Sequence, residues 1–212
     1  MPAPSTVADV GALERDLRAA VRGEVRFDAK ARALYATDAS PYRIPPVGVV
    51  VPLDEDDVRA AVRVAAAHEV PLLPRGGGTS LAGQTVGEAL VIDMSKHLTK
   101  VLEVNVEERW ARVQPGVVRD QLNRVLAPHG LQFTPDVATT DRANVGGMVA
   151  NNSSGTHSIK YGKTVDQVIS MRVLLADGTE LELGPLSREE LEAKLAQEDR
   201  EGRLYREVVR VV

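Results

Sequence analysis

Cysteine is missing from all 212 residues of the chain. That excludes disulfides, thiolate metal sites and iron–sulfur ligation on this stretch. Excess positive charge is missing too. The formal net charge is -4, with no basic stripe, which argues against a nucleic-acid partner. No apolar run is long enough to span a bilayer. The opening MPAPSTVADVG lacks a basic region followed by an apolar core, so no signal peptide is expected. The default is a cytoplasmic protein, and peripheral membrane attachment through a partner remains compatible with it. A chain of 212 residues suits one large domain or two small subdomains with a real core.

What stands out is LPRGGGTSLAG, from Leu73 to Gly83. Gly76, Gly77 and Gly78 follow an apolar run, and Thr79, Ser80 and Gly83 complete a loop. Glycine reaches backbone angles closed to other residues and lets a ligand approach the main chain. A row of N–H groups facing one point is a good seat for a diphosphate. A flexible connector is the plain alternative. Tight apolar segments on both sides, with Arg75 and two hydroxyls among the glycines, count against it. The spacing is not GxGxxG opening a helix, and no Lys-Ser/Thr follows, so neither a Rossmann turn nor a P-loop fits.

Periodicity predicts the elements around the loop. Val10, Leu13, Leu17, Ala20 and Val21 mark an amphipathic helix ended by Gly23. Glu24 to Phe27 reads as a short strand, and Asp28 caps a helix to about Ala36. The proline-rich Thr37 to Pro52 cannot be helical, and its Val47 to Val51 reads as a buried strand. Tyr42 reads as a packed loop residue, with the substrate space as the alternative. Asp54 to Ala67 is a helix with acid in its first turn, a capped and solvated start rather than a metal site. Val70 to Pro74 and Leu90 to Met94 are further strands, and the first of these completes a βαβ unit. His68, His97 and His129 read as capping or surface residues. Lys100 to Val104 and Arg109 to Gln114 form a hairpin that carries Trp110, packed on the sheet or on a ligand ring. Val118 to Leu126 is a helix, and Asn144 or Asp141 caps a short one at Gly146-Gly147 whose free N–H groups face anionic or carbonyl oxygens. Val168 to Leu183 is a hairpin turning at Asp177-Gly178. Ser187 and Glu190 make a capping box. A final stripe of Leu204, Tyr205, Val208, Val209 and Val212 ends without a cap, and a longer protein is expected.

A second motif, PDVATTDRANVGGMVANNSSGTHSIKYG, runs from Pro135 to Gly162. Together with the glycine loop it resembles the vanillyl-alcohol-oxidase-like flavoproteins with a PCMH-type FAD-binding domain. The branch is that of the D-lactate, glycolate and D-2-hydroxyglutarate dehydrogenases, and the likeness covers roughly Leu34 to Gly184. The resemblance implies FAD contact on the first motif at Pro74, Arg75, Gly76, Gly77, Gly78, Thr79, Ser80, Leu81, Gly83 and Gln84. On the second it implies contact at Pro135, Asp136, Thr139, Gly146, Gly147, Ala150, Asn151, Asn152, Ser153, Gly155, Tyr161 and Gly162. Gly147 and Ala150 are small enough for the isoalloxazine to come close. The wider family includes enzymes that bind the flavin covalently through a first-loop histidine. Arg75 to Gln84 holds no histidine or cysteine, so non-covalent FAD is expected.

NNSSGTHS from Asn151 to Ser158 is similar to an Asn-Asn-Ser-Cys-Gly-x-His-Ser stretch in long bacterial proteins that join an FAD unit to an iron–sulfur half. Ser154 replaces the cysteine. His157 reads as a loop hydrogen-bonding residue, with flavin contact as the alternative.

The fold class expected is α+β, a two-subdomain FAD-binding fold in which βα units precede a mixed, mainly antiparallel sheet with flanking helices. The divisions are an N-terminal helical segment at 1–36, subdomains at 37–95 and 96–184, and the helical start of a C-terminal region at 185–212. The activity implied is oxidation of a 2-hydroxy acid by hydride transfer to flavin. The substrate base and carboxylate-binding arginines are then expected on a C-terminal cap domain, with an iron–sulfur electron-transfer module as a further partner. No catalytic residue and no metal ligand is assigned. The alternatives are a same-fold sugar-alcohol oxidase or enolpyruvyl reductase, and a cofactor-free binding module.

Overall fold

A computed structural model describes residues 9–211. Residues 1–8, most of the opening segment read for a signal peptide, and Val212 of the last stripe lie outside the described residues. The chain divides into two units, one ending at Gln167 and one beginning at Val168.

The first unit opens with helix α1 (Val10–Ala20), capped by the Asp9 carboxylate and burying Leu13 and Leu17. Strand β1 (Glu24–Arg26), helix α2 (Ala29–Leu34) and strand β2 (Gly48–Val51) follow. Asp28 caps α2 through the N–H of Ala31. Helix α3 (Glu55–Ala67) precedes strands β3 (Leu72–Arg75) and β4 (Leu90–Asp93). The four strands form one sheet in the order β1-β2-β4-β3. β1 is antiparallel to β2, while β2 and β3 each run parallel to β4. The expected βαβ crossover is present in direction, but its two strands are not neighbours. β4, buried along its whole length, takes the central place between them. Its all-apolar Leu90-Val91-Ile92 run is buried there, as is Val49-Val50-Val51 of β2.

The acidic start of α3 differs from its sequence reading at one residue. Asp54 accepts the N–H groups of Asp56 and Asp57, as a cap does. Asp57, however, is 1% exposed. Its carboxylate accepts from the main-chain N–H groups of Arg22 (3.1 Å), Gly23 (3.0 Å) and Leu53 (2.9 Å). Burial pushes this carboxyl up, but those donors and the Arg22 guanidinium outweigh it and hold it below its usual range. His68 at the end of α3 bonds Asp16 of α1 at 2.8 Å, which ties the two helices together.

The unit continues with an antiparallel hairpin, β5 (Val101–Asn105) and β6 (Trp110–Val113). Trp110 is half-buried and donates its indole N–H to Glu108 in the turn. Helices α4 (Arg119–Leu126), α5 (Val145–Ala150) and α6 (Ser158–Tyr161) complete it. Val117, Leu122, Leu126 and Val145 make a core against which Val104, Val113 and Phe133 pack. The second unit holds the hairpin of β7 (Met171–Leu174) and β8 (Glu180–Leu183), turning at Asp177-Gly178, then helices α7 (Arg188–Ala196) and α8 (Arg200–Val211). The capping box of Ser187 and Glu190 is present. The mixed sheet of β1 to β4, with β1 antiparallel, is thus accompanied by two separate antiparallel hairpins, β5-β6 and β7-β8. Among the described residues no helix is long and apolar enough to cross a membrane.

Candidate functional site

The glycine loop leaves the C-terminal end of β3, beside the end of β4. Arg75 sets its base. The guanidinium donates to the carbonyls of Tyr35 (3.1 Å), Thr85 (2.9 Å) and Thr37 (2.7 Å), so one side chain ties the start of the loop to its end. It also lies 5.3 Å from the centre of the Tyr35 ring. The Tyr35 hydroxyl donates to the buried Asp93 on β4, at 2.5 Å. Burial, then the Asp93 bond, pushes the Tyr35 hydroxyl far up, and burial lowers the Arg75 pKa. Asp38 closes the same corner by accepting from Ser40 and Thr85. Burial raises its pKa, but those bonds win and keep it low.

Among the described residues, nothing accepts a hydrogen bond from the main-chain N–H groups of Gly76 through Gly83. The Gly78 carbonyl accepts from Ala39 at 3.1 Å, and the Ser80 hydroxyl accepts from the Gln84 N–H at 3.3 Å. Pro74, Leu81 and Gln84 are exposed, Thr79 is half-buried and Ser80 is buried.

The second motif packs directly on this loop. A Cβ on Gly76 would lie 2.7 Å from the Asn144 side-chain oxygen, and one on Gly77 would lie 2.5 Å from the Arg142 carbonyl. Glycine is required there for close approach. Asn144 is 4% exposed, and its amide donates to the Gly116 carbonyl at 2.6 Å. Its buried oxygen has no partner. It occupies the cap position of α5 without a side-chain capping bond. The α5 start also departs from expectation. The N–H groups of Val145 and Gly146 are engaged by the carbonyls of Val117 and Pro115 and do not face a ligand. Gly146 packs against Pro115, whereas a Cβ on Gly147 would meet nothing within 4 Å. Gly147, Ala150, Asn151 and Asn152 all lie on the surface, Asn152 at a positive φ of 44°.

Asp136 fastens the loop beyond α5. It accepts from the Thr156 hydroxyl (2.9 Å), the His157 N–H (3.1 Å) and His157 Nδ1 (2.5 Å). Burial raises its carboxyl, and these donors outweigh that and lower it. His157 thus has the loop role expected of it. Gly155 lies against Asp136, where a Cβ would come within 2.2 Å of its main-chain oxygen. Pro135 is buried, and its carbonyl accepts from the buried Arg119 at 2.8 Å. Thr139 accepts the N–H groups of Arg142 and Ala143. The Asn152 side chain accepts from Val165, and the Ser153 carbonyl accepts from Thr164. Tyr161 is 43% exposed, its carbonyl accepts from Gln167, and Gly162 turns at a φ of 80°. Tyr42 is 54% exposed with its ring against Gly83. Among the described residues there is no cluster of His, Cys, Asp and Glu fit for a metal ion.

Arg142 and Arg119 go unremarked in the sequence, and Asn144 reads there only as a helix cap. Nothing local marks their importance, since it comes from contacts with distant residues. The glycine loop thus offers main-chain donors that no group among the described residues accepts, and the second motif offers small exposed residues around Gly147.

A family profile described as an FAD binding domain matches residues 46–184. The chain is 44% identical to a D-2-hydroxyglutarate dehydrogenase of Pseudomonas putida, over 87% of this chain and 19% of that protein. It is 35% identical to the glycolate oxidase subunit GlcD of Bacillus subtilis, over 77% of this chain and 36% of that one. The chain thus spans about a fifth of the length of the D-2-hydroxyglutarate dehydrogenases it matches. Among solved structures, an alkyldihydroxyacetonephosphate synthase superposes with a TM-score of 0.73 at 27% identity, covering 81% of this chain and 38% of that one. The p-cresol methylhydroxylase shares the fold with a TM-score of 0.71 at 19% identity, covering 90% of this chain and 39% of that one.

Proposed function

The chain belongs to the FAD binding domain family, and from that premise we propose that it is the flavin-holding part of an oxidoreductase acting on a 2-hydroxy acid of the D-2-hydroxyglutarate, glycolate or D-lactate kind. The observation that carries the reading is the seating of Gly76 and Gly77 against Arg142 and Asn144, which unites the two motifs. The names of its relatives support the substrate class.

When bound, FAD supplies the ring that accepts hydride from the substrate. The residues of this chain bind and orient. The N–H groups from Gly76 to Ser80 hold the diphosphate, each charge-assisted bond contributing about 1.5–3 kcal/mol net. Arg75 keeps that loop in shape from behind through its carbonyl contacts. Gly147, Ala150 and Asn151 present a small, polar surface to the ring. Asp136 holds the following loop in place through Thr156 and His157. FAD is held non-covalently, because Arg75 to Gln84 offers no histidine or cysteine for attachment. A cap domain elsewhere in a longer protein brings the substrate base and carboxylate-binding groups, with an iron–sulfur module as electron acceptor. The whole works in the cytoplasm, with membrane attachment only through a partner.

The test is to incubate the purified chain with FAD, remove free ligand by ultrafiltration and record the flavin spectrum before and after acid precipitation. Stoichiometric flavin that is fully released by acid supports the reading. A colourless protein would make the chain a cofactor-free binding module, and flavin retained in the pellet would make the attachment covalent.

A further inference from the structure

Given the FAD reading above, on which this inference rests, the diphosphate brings about two negative charges to the glycine loop. The cation that the sequence placed there, Arg75, packs against Gly78 and is already engaged within the protein. Its guanidinium donates to the carbonyls of Tyr35, Thr37 and Thr85 and is half-buried beneath the loop. Moving it outward would break all three contacts and leave those carbonyls without their donor.

Another arginine stands at the loop. Arg142 belongs to the second motif, and its main chain touches Gly77. Its side chain is 69% exposed, and its recorded partner is the neighbouring Asp141, itself 69% exposed, at 3.2 Å. Exposed ion pairs of this kind hold a side chain weakly. An arginine fork matches phosphate oxygens geometrically and stays charged at every working pH.

We propose that Arg142 is the charged partner of the FAD diphosphate, while Arg75 is a positioning residue that shapes the loop through its three carbonyl bonds. Recognition is then divided between the motifs: the first supplies neutral main-chain donors and the second supplies the cation. Asp141 holds Arg142 at the rim until the phosphates replace it.

The test is an equilibrium titration of the full chain with FAD, followed by flavin fluorescence at several sodium chloride concentrations, for wild type, Arg142→Gln and Arg142→Lys. Arg142 is exposed, so the variants keep the wild-type melting temperature, which circular dichroism checks. Expected is a loss of about tenfold or more in FAD affinity for Arg142→Gln. A shallower salt dependence accompanies it, because one screened charge contact is gone. Arg142→Lys recovers part of both. Wild-type affinity and wild-type salt slope in Arg142→Gln would overturn the assignment while leaving FAD binding intact. Failure of the wild-type chain to take up FAD would overturn the cofactor reading, and this inference with it.

Discussion

Replacing Gly147 by alanine separates a glycine kept for a ligand from one kept for the fold. Gly147 lies in α5, is exposed, and a methyl group built on it meets nothing within 4 Å. Alanine in a helix is favoured over glycine by about 0.5–1 kcal/mol, mainly because the unfolded chain loses freedom. For a chain of this size that raises the melting temperature by about 1–4 °C. Under the proposed function the same open side receives the flavin. A methyl group wedged against a close-fitting ring costs about 1–3 kcal/mol, the range for overpacked sites. FAD affinity then falls about 5- to 150-fold. Thermal melts without FAD and fluorescence titrations with it read the two effects separately. Gly146→Ala is the control, since its Cβ would lie 2.6 Å from Pro115 Cβ and must destabilise the fold itself. A Gly147→Ala protein that melts higher yet binds FAD as tightly as wild type would remove the ring from this surface. One that melts lower would show that the site is not open.

Three further outcomes follow from the packing. Gly77→Ala sets a Cβ 2.5 Å from a main-chain carbonyl that cannot yield like a side-chain tip, so the loop shifts. FAD affinity drops by about tenfold or more, and an unchanged dissociation constant counts against the loop as the diphosphate seat. Asp57→Ala strips the acceptor from the N–H groups of Arg22, Gly23 and Leu53 and lowers stability by about 3 kcal/mol or more in urea unfolding. A midpoint equal to wild type would contradict the structural role given to that carboxylate. Asp136 has its folded pKa depressed below the ordinary 3.8, so its contribution is complete above that value and disappears as pH falls through the lower one. Hydrogen exchange at the His157 amide should show protection at pH 5 that is lost in stronger acid and absent in Asp136→Asn. Full protection in the variant would refute the latch.

Local chemistry announced most of the elements. Asp54 and Asp28 cap the helices they precede, Asp177-Gly178 turns its hairpin, and Ser187 with Glu190 forms its box. Each of these depends on residues a few positions apart. What stayed hidden depends on long-range register. The place of β4 between β2 and β3 is set by long-range pairing, because β2 and β4 carry similar apolar runs and are equally buried. Asp57 looks like its three acidic neighbours and is buried only because the turn at Arg22 and Gly23 arrives from 34 or 35 residues away. At the site, the glycines themselves gave the loop away. The inward turn of Arg75 and the approach of Asn144 to Gly76 did not show, since both require knowing which distant carbonyls and glycines lie alongside.

The three carbonyl contacts of Arg75 also bear on how quickly a ligand is captured. A loop tied at both ends holds its shape before anything arrives, so capture needs no slow rearrangement of the chain. In stopped-flow mixing the observed rate should climb in proportion to FAD concentration, without the plateau that marks a rate-limiting opening step. Cutting the tie with Arg75→Met should introduce that plateau.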